Sequence, residues 1–346
     1  MPERQEGLKP ALETLINGGV LNEQAARAAF ELIMDGRAPA AQVAAFLVAL
    51  RIRGETVGEI TAFARVMRAR VTPVVVDVEG LIDTCGTGGD GSGSFNISTL
   101  AAIVAAAAGA RVAKHGNRSV SSRCGSADLL QGLGVRVESS PEEMAESIRT
   151  VGLGFLFAPS LHGAMKHAAP IRRELGMRTV FNLLGPLTNP AGARRQLMGV
   201  FDVGWVEPMA EVLRELGSER ALVVHGGGMD EIAIHDETRV AELKHGRLRV
   251  YTVTPEDAGL RRAQAADVLG GEVEENVAIA TSVLQGAAGP RRDVVVLNTA
   301  ASLLVADRAE TLREGAELAS RAIDSGAALS VLDKMRAKMP EGRKGA

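Results

Sequence analysis

The residues best suited to chemistry begin with a glycine-rich segment that follows a short apolar run and precedes an apolar helical stretch. Residues 83–99 have the sequence DTCGTGGDGSGSFNIST, with glycines at 86, 88, 89, 91 and 93. Because glycine has no Cβ, backbone N–H groups in such a loop can approach an anion closely. Ser98 or Thr99 would lie at the start of the helix, where free N–H groups and the positive end of the helix dipole favour phosphate. The segment therefore predicts a phosphate site, with a flexible surface loop as the alternative.

Two well-known nucleotide-binding loops fit this segment poorly. A Rossmann site needs G-x-G-x-x-G combined with an acidic residue at the end of the next strand, and that combination is missing. A P-loop needs G-K-S or G-K-T, which the segment also lacks. Both interpretations are therefore disfavoured.

A second polar segment follows the next short apolar run and again precedes a helical stretch. Residues 114–126 have the sequence KHGNRSVSSRCGS. Its lysine, arginine, asparagine and serine side chains supply cationic and hydroxyl donors for a multiply charged oxyanion. The alternative is a solvated turn in which His115 is an ordinary loop histidine. Two phosphate-type loops in one domain make that alternative the weaker one.

A third segment ends in two adjacent carboxylates. Residues 223–231 have the sequence VVHGGGMDE, in which an apolar run and three glycines precede Asp230 and Glu231. Magnesium takes few protein ligands and keeps water and substrate oxygens around it, so two carboxylates near a phosphate suit it. An isolated acidic pair is more often a surface turn, but its position after an apolar strand and a glycine run favours a metal site.

Composition and charge exclude several classes of protein. The chain has 346 residues, 46% of them hydrophobic, so it can bury a core and has room for a large domain and a smaller one. Its net charge is −3 and only 3% of its residues are aromatic, which disfavours nonspecific nucleic-acid binding. Any phosphate site must therefore be local.

The cysteines indicate a reducing compartment, and the apolar stretches are too short to predict a membrane-spanning helix. Cys85 and Cys124 form no C-x-x-C pair and lack a nearby histidine cluster, which argues against structural zinc and a disulfide framework. The N-terminal residues are charged and amphipathic, unlike a secretory signal. The most apolar stretch, residues 100–110, is far shorter than the roughly 20 residues of a membrane-spanning helix. We therefore expect a cytoplasmic protein.

Residues 1–72 are predicted to form the small helical domain. Apolar residues recur at helical spacing up to Val71. Asn22 is a candidate N-cap for a helix that Gly36 ends, and Thr56 begins a T-x-x-E capping box.

From Pro73 onward, short apolar runs alternate with glycines and helical stretches, which predicts an α/β fold with a central sheet over residues 73–346. The predicted strands lie in LIDTCGTGG, ARVAKHGN, GVRV, LGFLFAP and ALVVHGGG. A capped helix begins at Ser140, and Ala- and Leu-rich helices after Glu274 are predicted to cover the sheet. Residues 160–190 interrupt the alternation and either form a hinge or join the helical domain.

The three polar segments, in their order and spacing, resemble those of anthranilate phosphoribosyltransferases. The matching motifs are GTGGD at 86–90, NIST at 96–99, KHGNRSVSS at 114–122, GSAD at 125–128, NLLGPLTNP at 182–190 and HGGGMDE at 225–231. No single motif is decisive, but their joint occurrence is specific and covers nearly the whole chain. The departures, Arg123-Cys124 and the glycines of HGGGMDE, affect no expected ligand.

The resemblance implies a small helical domain beside a larger α/β domain, as in pyrimidine nucleoside phosphorylases, and a homodimer formed through the helical domain. It implies that the phosphoribosyl group of 5-phosphoribosyl 1-pyrophosphate is transferred to anthranilate in tryptophan biosynthesis. The rival interpretations are a nucleoside phosphorylase and a non-catalytic relative that binds nucleic acid. The paired acids and KHGNRSVSS disfavour the first, and the mild negative charge disfavours the second.

The resemblance also implies the residues of the site. Those expected to bind the sugar diphosphate are Gly86, Gly89, Asp90, Ser94, Asn96, Ile97, Ser98, Thr99, Lys114, His115, Gly116, Asn117, Arg118, Ser119, Val120, Ser121, Ser122 and Ser126. Those expected to hold Mg²⁺ are Ser98, Asp230 and Glu231. Those expected to bind anthranilate or line its path are Gly86, His115, Asn117, His162, Arg172 and Pro186. The spacing from Lys114 favours Arg172 over Arg173, and a planar guanidinium can bind both carboxylate oxygens.

The implied reaction depends mainly on stabilising negative charge. Breaking the C1–O bond to pyrophosphate leaves an electron-poor sugar, so negative charge on the leaving group must be stabilised. Magnesium, Lys114, Arg118 and the loop amides can do this, while the amine needs only positioning at the opposite face of C1. We therefore expect no covalent nucleophile.

Overall fold

The computed structural model describes residues 7–119 and 123–339. The chain divides into two compact units. The helical unit runs to Thr72 and includes Pro159–Thr188, and the α/β unit comprises Pro73–Ala158 and the chain from Asn189 onward. Most of the segment 160–190, for which the sequence left two interpretations, therefore packs within the helical unit. Across the described residues, every helix is too short or too polar to cross a membrane.

The secondary structure alternates as the sequence predicts from Pro73 onward. The helices are α1 (Lys9–Ile16), α2 (Glu23–Met34), α3 (Ala40–Arg53), α4 (Val57–Arg68), α5 (Ile97–Ala107), α6 (Ser126–Gly132), α7 (Pro141–Val151), α8 (Ala158–Leu161), α9 (Ala169–Leu175), α10 (Phe181–Leu184), α11 (Val206–Glu215), α12 (Val273–Leu284), α13 (Pro290–Val305), α14 (Leu312–Asp324) and α15 (Ala327–Lys338). The strands are β1 (Leu81–Thr84), β2 (Arg111–Gly116), β3 (Leu153–Phe157), β4 (Arg195–Gly199), β5 (Arg220–Gly226), β6 (Thr238–Lys244) and β7 (Arg247–Val253).

Side-chain caps confirm the predicted helix starts. The Asn22 side chain accepts a hydrogen bond from the Ala25 N–H (2.9 Å) and begins α2. Thr56 and Glu59 form the capping box of α4, and Ser140 begins α7 in the same way. Each cap satisfies an N–H group that the helix leaves unpaired, which is typically worth about 1 kcal/mol.

The core of the helical unit is aromatic. Phe30 stacks on Phe63 with ring centroids 4.6 Å apart, and Phe46 contacts Phe63 edge to face at 6.1 Å. Phe181 of α10 lies 5.3 Å from Phe30. The second piece of chain therefore fills the same core as the first four helices.

The α/β unit is built on a seven-stranded sheet with the order β3-β2-β1-β4-β5-β6-β7. Neighbouring strands from β3 to β5 pair in parallel, and β6 and β7 add an antiparallel hairpin at one side. Because the carboxyl ends of parallel strands meet at one edge, the loops after β1, β2 and β5 lie along that edge. These loops are the three polar segments of the sequence, and the predicted fold class is confirmed.

Apolar helices cover the sheet. Helix α5 is buried over most of its length and packs against α13 and α15. Helix α13 is buried from Val294 to Val305 and also packs on β4 and β5. Of the helices predicted after Glu274, α13 packs directly on the sheet, whereas α14 packs on α13 and α15 on α5.

One predicted strand is wrong. Residues 134–137, GVRV, are no strand of the sheet: the Val135 N–H donates to the Leu130 carbonyl (2.9 Å), and the Arg136 N–H donates to the Met339 carbonyl (2.7 Å). The side chains of Val135 and Val137 are buried in the core. A short apolar run indicates burial but does not by itself distinguish a strand from another buried segment.

Three strands have no counterpart in the prediction. β4 begins inside a turn-rich segment, where the sequence suggested no strand. β6 and β7 are joined through His245 and Gly246, whose φ values of 51° and 73° match a type I′ turn. β7 lies at the side of the sheet with most of its residues exposed or half-buried, which weakens the apolar alternation that would reveal it.

Candidate functional site

Several glycines of the loop after β1 adopt backbone conformations that other residues rarely take. Their φ values lie between 65° and 79° at Gly88, Gly89, Gly91 and Gly93. Gly86 is required for a different reason, since a Cβ there would lie 2.4 Å from Asp230 Oδ2. The glycine pattern thus serves a loop that turns tightly and lets another segment approach its backbone.

The adjacent acids after β5 lie directly on this loop. The Gly88 N–H donates to Asp230 Oδ2 (2.7 Å), and the Ser98 N–H at the start of α5 donates to Glu231 Oε1 (3.1 Å). Carboxylate oxygens therefore accept hydrogen bonds from N–H groups that the sequence predicts to bind an anion. Segments separated by 142 positions between Gly88 and Asp230 therefore converge on one place.

A third carboxylate joins the acid pair. Asp90 Oδ2 accepts a hydrogen bond from the Asp230 N–H (3.0 Å). Burial, and then the charge of Asp90, raise the pKa of Asp230 to about 7. Burial, and then the charge of Asp230, raise the pKa of Glu231 to about 8. Carboxylates enclosed together in this way need either protons or a cation, and oxygen ligands of this kind fit magnesium.

Lys114 brings positive charge to the same place. Its side chain is buried, and its Nζ donates to the Thr84 carbonyl (2.7 Å) and to Ser98 Oγ (3.3 Å). Burial lowers the pKa of Lys114, and the negative charges of Asp83 and, more weakly, Glu231 oppose that shift. The ammonium therefore lies between the end of β1 and the start of α5.

The segment after β2 is joined to the glycine loop through Asn96. The Asn96 Nδ2 donates to the Cys124 carbonyl (3.0 Å). The Ser126 hydroxyl at the start of α6 accepts from the Asn117 N–H (3.2 Å) and donates to the Asn117 carbonyl (3.1 Å). The predicted ligands Asn96, Asn117 and Ser126 thus hold the two loops in shape.

Arg118 contacts the helix that follows its loop, α6, and the end of β3. Its guanidinium donates to Asp128 (3.1 Å) and Gln131 (2.9 Å) and lies 5.6 Å from the centre of the Phe157 ring. The Ser119 N–H also donates to Asp128 (2.9 Å). Asp128 therefore orders the beginning of this segment, and the predicted ligands Val120, Ser121 and Ser122 lie outside the described residues.

The remaining predicted ligands of the sugar diphosphate make contacts within the chain. The side chains of Ile97 and Thr99 are buried, and their N–H groups donate to the carbonyls of Phe95 (2.7 Å) and Asn96 (3.2 Å). A Cβ on Gly116 would lie 2.4 Å from Ser126 Oγ, so this position needs glycine. Ser94 Oγ accepts a hydrogen bond from the Ser92 hydroxyl (3.2 Å) inside the glycine loop.

Three residues expected to meet an aromatic acid belong to the helical unit: His162, Arg172 and Pro186. The Arg172 guanidinium lies 5.1 Å from the centre of the Phe181 ring, and burial lowers its pKa. Burial also lowers the pKa of His162 to about 4, so its ring is neutral near pH 7. The neighbouring Arg173 is exposed.

A buried polar cluster, which the sequence did not predict, lies beneath the loops. Asp83 accepts hydrogen bonds from the His115 N–H (3.1 Å), the Asn189 amide (2.7 Å) and the Cys85 thiol (3.2 Å). The same Asn189 amide donates to the Ala113 carbonyl (2.8 Å). Asp83 thereby fixes the end of β2, and an aspartate inside an apolar strand is the signal that could have revealed it.

The side chains of Asp83, Cys85 and His115 are also close enough to share a metal ion. Three donors already bond to the Asp83 carboxylate, and burial raises the pKa of the Cys85 thiol well above its ordinary value. A thiol that keeps its proton is a poor metal ligand. The cluster is therefore better explained as a structural network than as a metal centre.

Comparisons with known proteins agree across nearly the whole chain. The family model described as "Glycosyl transferase family, helical bundle domain" matches residues 9–71, and "Glycosyl transferase family, a/b domain" matches residues 78–329. Anthranilate phosphoribosyltransferase of Symbiobacterium thermophilum is 57% identical over 330 residues, which cover 95% of this chain and 97% of that protein.

Solved structures give the same result. The crystal structure of anthranilate phosphoribosyltransferase from Thermus thermophilus has a TM-score of 0.90 at 49% identity and covers 95% of this chain and 98% of that one. The enzyme from Saccharomyces cerevisiae in complex with PRPP and Mg has a TM-score of 0.88 at 26% identity and covers 96% and 98%. Fold and sequence thus agree over the same residues.

Proposed function

Since the chain belongs to the anthranilate phosphoribosyltransferases, we infer that it transfers the phosphoribosyl group of 5-phosphoribosyl 1-pyrophosphate (PRPP) to the amine of anthranilate. The products are N-(5-phosphoribosyl)anthranilate and pyrophosphate. The reaction is a step of L-tryptophan biosynthesis.

The assignment of roles within the chain depends on one observation: the loop after β1 and the acid pair after β5 share hydrogen bonds at Gly88 and Ser98. We propose that the pyrophosphate of PRPP binds beside this point, to backbone N–H groups of the glycine loop other than that of Gly88. The loop after β2 supplies the remaining polar contacts to the sugar diphosphate.

Magnesium is held by Asp230, Glu231 and the Ser98 hydroxyl in this proposal. The support is the enclosure of carboxylates that raises the pKa of both acids, because a divalent cation replaces the protons they would otherwise keep. When bound, magnesium supplies positive charge to the departing pyrophosphate. Lys114, whose ammonium lies beside Ser98 Oγ, adds a second positive charge.

In this proposal, Arg172, His162 and Pro186 of the helical unit bind anthranilate. Arg172 receives the carboxylate, because a guanidinium presents two parallel N–H donors and the Phe181 ring already restrains it. His162, neutral near pH 7, leaves the positive charge to Arg172.

The amine of anthranilate attacks C1 directly, without a covalent intermediate on the protein. Burial raises the pKa of both thiols, Cys85 and Cys124, so neither is an activated nucleophile. What remains for the chain is to position the amine opposite the leaving group and to stabilise the pyrophosphate.

We further propose a cytoplasmic homodimer formed through the helical unit. Large apolar side chains of this unit are exposed at Ile16 (74%), Val20 (58%) and Ile52 (82%). Ile16 lies at the end of α1 and Ile52 near the end of α3, and these two helices pack against each other. A second copy covering this face would remove the exposed side chains from water.

The function is tested by pyrophosphate release from the purified chain. Mixing PRPP, Mg²⁺ and anthranilate should release pyrophosphate, and omission of anthranilate or Mg²⁺ should stop it. Uracil and thymine are the control acceptors. Release with either of them but not with anthranilate would assign the chain a different reaction.

A further inference from the structure

The backbone immediately after the acid pair is held by a side chain from the core. The Ile232 N–H donates to Asn298 Oδ1 (2.9 Å), and Asn298 Nδ2 donates back to the Ile232 carbonyl (2.9 Å). Asn298 lies on α13 and is fully buried. One amide side chain thus pairs with both polar backbone groups of a single residue, as a neighbouring β-strand would.

This pairing fixes the peptide bond that joins Glu231 to Ile232. Residues 230–237 form neither helix nor strand, and the backbone bridge between Gly226 and Met229 ends just before Asp230. Side chains hold this segment: Asp90 bonds to the Asp230 N–H, and Thr238 Oγ1 bonds to the Ala233 N–H (3.0 Å). Asn298 holds the position between them and thereby sets the direction in which the Glu231 side chain leaves the backbone.

The location of Asn298 argues that this contact is its purpose. It lies in the apolar run VVVLNTAASLLV of α13, where every residue is buried. An asparagine is less favourable than leucine inside a helix and loses its hydrogen bonds to water when buried. The Val294 carbonyl takes one of its bonds (3.0 Å), and the others go to Ile232. The helix and its apolar core have no need of an amide here, whereas the acid-bearing segment does.

We propose that Asn298 is a positioning residue of the metal site: it orients Glu231, and through it the acid pair, without touching either substrate. This proposal rests on the proposed function, in which Asp230 and Glu231 hold the metal. Outer partners of this kind typically change metal affinity or activity about 10–100-fold when they are removed. The effect on Asn298 variants should therefore appear in metal binding and turnover rather than in binding of anthranilate.

The test uses Mn²⁺, a paramagnetic substitute for Mg²⁺, whose binding to the full chain with PRPP is followed by electron paramagnetic resonance. Asn298→Leu should weaken Mn²⁺ binding about 10-fold or more and lower kcat, with KM for anthranilate nearly unchanged. The matched control is Ser302→Ala, because Ser302 is equally buried on α13 but bonds only within its helix, to the Asn298 carbonyl (2.9 Å). Unchanged Mn²⁺ affinity in Asn298→Leu would overturn the proposal.

Two further variants separate a hydrogen-bonding role from a general loss of packing. In Asn298→Asp the buried carboxyl should keep its proton, so it can still accept from and donate to Ile232, and Mn²⁺ affinity should return close to that of the wild type. If it binds Mn²⁺ as weakly as Asn298→Leu, the hydrogen bonds are not what matters. If the leucine variant fails to fold, Asn298→Ser, which is too short to reach both groups and adds no bulk, takes its place with the same expectation.

The double variant with Asp230 and Glu231 both changed to Ala distinguishes the positioning role of Asn298 from the proposed metal site on which it rests. Loss of Mn²⁺ binding in the double variant, together with normal binding in Asn298→Leu, would reject the positioning role alone. Normal binding in the double variant would reject the metal site itself.

Discussion

At the scale of single residues, the proposed metal ligands Asp230 and Glu231 would make metal binding depend on pH. A proton on Asp230 or Glu231 occupies the oxygen that a metal would use, and burial raises the pKa of these groups to about 7 and about 8. We therefore expect the concentration of Mg²⁺ required for half-maximal rate to fall as the pH rises from about 6 to about 8.5. Initial rates measured over a series of Mg²⁺ concentrations at each pH would check this.

The same shift predicts how the metal-free protein responds to pH. Because both acids have a higher pKa in the folded chain than in the unfolded one, the folded chain binds more protons, and the free energy of unfolding should fall as the pH rises through these values. Added Mg²⁺ with PRPP should reverse the loss. A metal requirement and a metal-free stability that both ignore pH in this range would contradict the assignment.

Arg172 gives a second expectation at this scale. Replacement by Ala would remove the proposed pair of charged hydrogen bonds to the anthranilate carboxylate, worth about 1.5–3 kcal/mol, so KM for anthranilate should rise about 10–100-fold. KM for PRPP should change little. Steady-state kinetics with each substrate varied in turn measures both, and Arg173→Ala, an exposed neighbour, is the control. Equal increases for the two substrates would place Arg172 elsewhere in the mechanism.

At the scale of elements, the glycine loop and the acid segment depend on close approach. In Gly86→Ala the added Cβ would lie 2.4 Å from Asp230 Oδ2, so either the loop or the acid must move. We expect kcat to fall at least about 10-fold and the Mg²⁺ requirement to rise, with only a modest change in melting temperature. Steady-state rates and thermal unfolding of the same preparation would measure these effects.

The control for this variant is Gly58→Ala. Gly58 lies in α4, and a Cβ there would have no heavy atom within 4 Å. Alanine is the better helix former by about 1 kcal/mol, so this change should raise stability and leave the rate unaltered. A loss of activity of similar size in both variants would show that the Gly86 effect is not local.

The sequence predicts elements well where the signal is local. Caps at Asn22, Thr56 and Ser140 mark helix starts, and apolar runs that end in glycine mark the strands that carry the three polar loops. Prediction from the sequence fails where tertiary contacts determine the local structure. GVRV at 134–137 is apolar because it is buried, and β7 is irregular in pattern because it is largely exposed.

The site shows the same division. Glycine content, charge and spacing reveal the three polar loops in the sequence, and the resemblance of their motifs implies their roles. The sequence does not reveal the roles of Asp83, Asn189 and Asn298. Their partners include backbone groups distant in the chain, such as Ile232, which is 66 positions from Asn298. Periodicity and composition carry no information about which backbone group a buried amide will meet.

At the scale of the whole molecule, the exposed apolar side chains of α1 and α3 predict a dimer. Ile52→Glu puts a charge where we expect a second copy to lie, and burying an unpaired charge is costly, so the variant should be a monomer at concentrations where the wild type is a dimer. Sedimentation velocity would measure the difference. Lys9→Glu, at the start of α1, is a charge-reversal control for altered surface charge alone. A wild-type monomer would refute the assignment.

The helical unit is made of two separated pieces of chain, and this has a consequence for its synthesis. Phe181, which packs against Phe30, is translated long after α1–α4 have left the ribosome. During that interval the first helices have an incomplete core, so nascent chains should expose apolar surface until residues 159–188 emerge. A fragment that stops at Thr72 should accordingly associate with chaperones or aggregate, whereas adding the later segment back as a separate peptide should restore its protection from proteolysis.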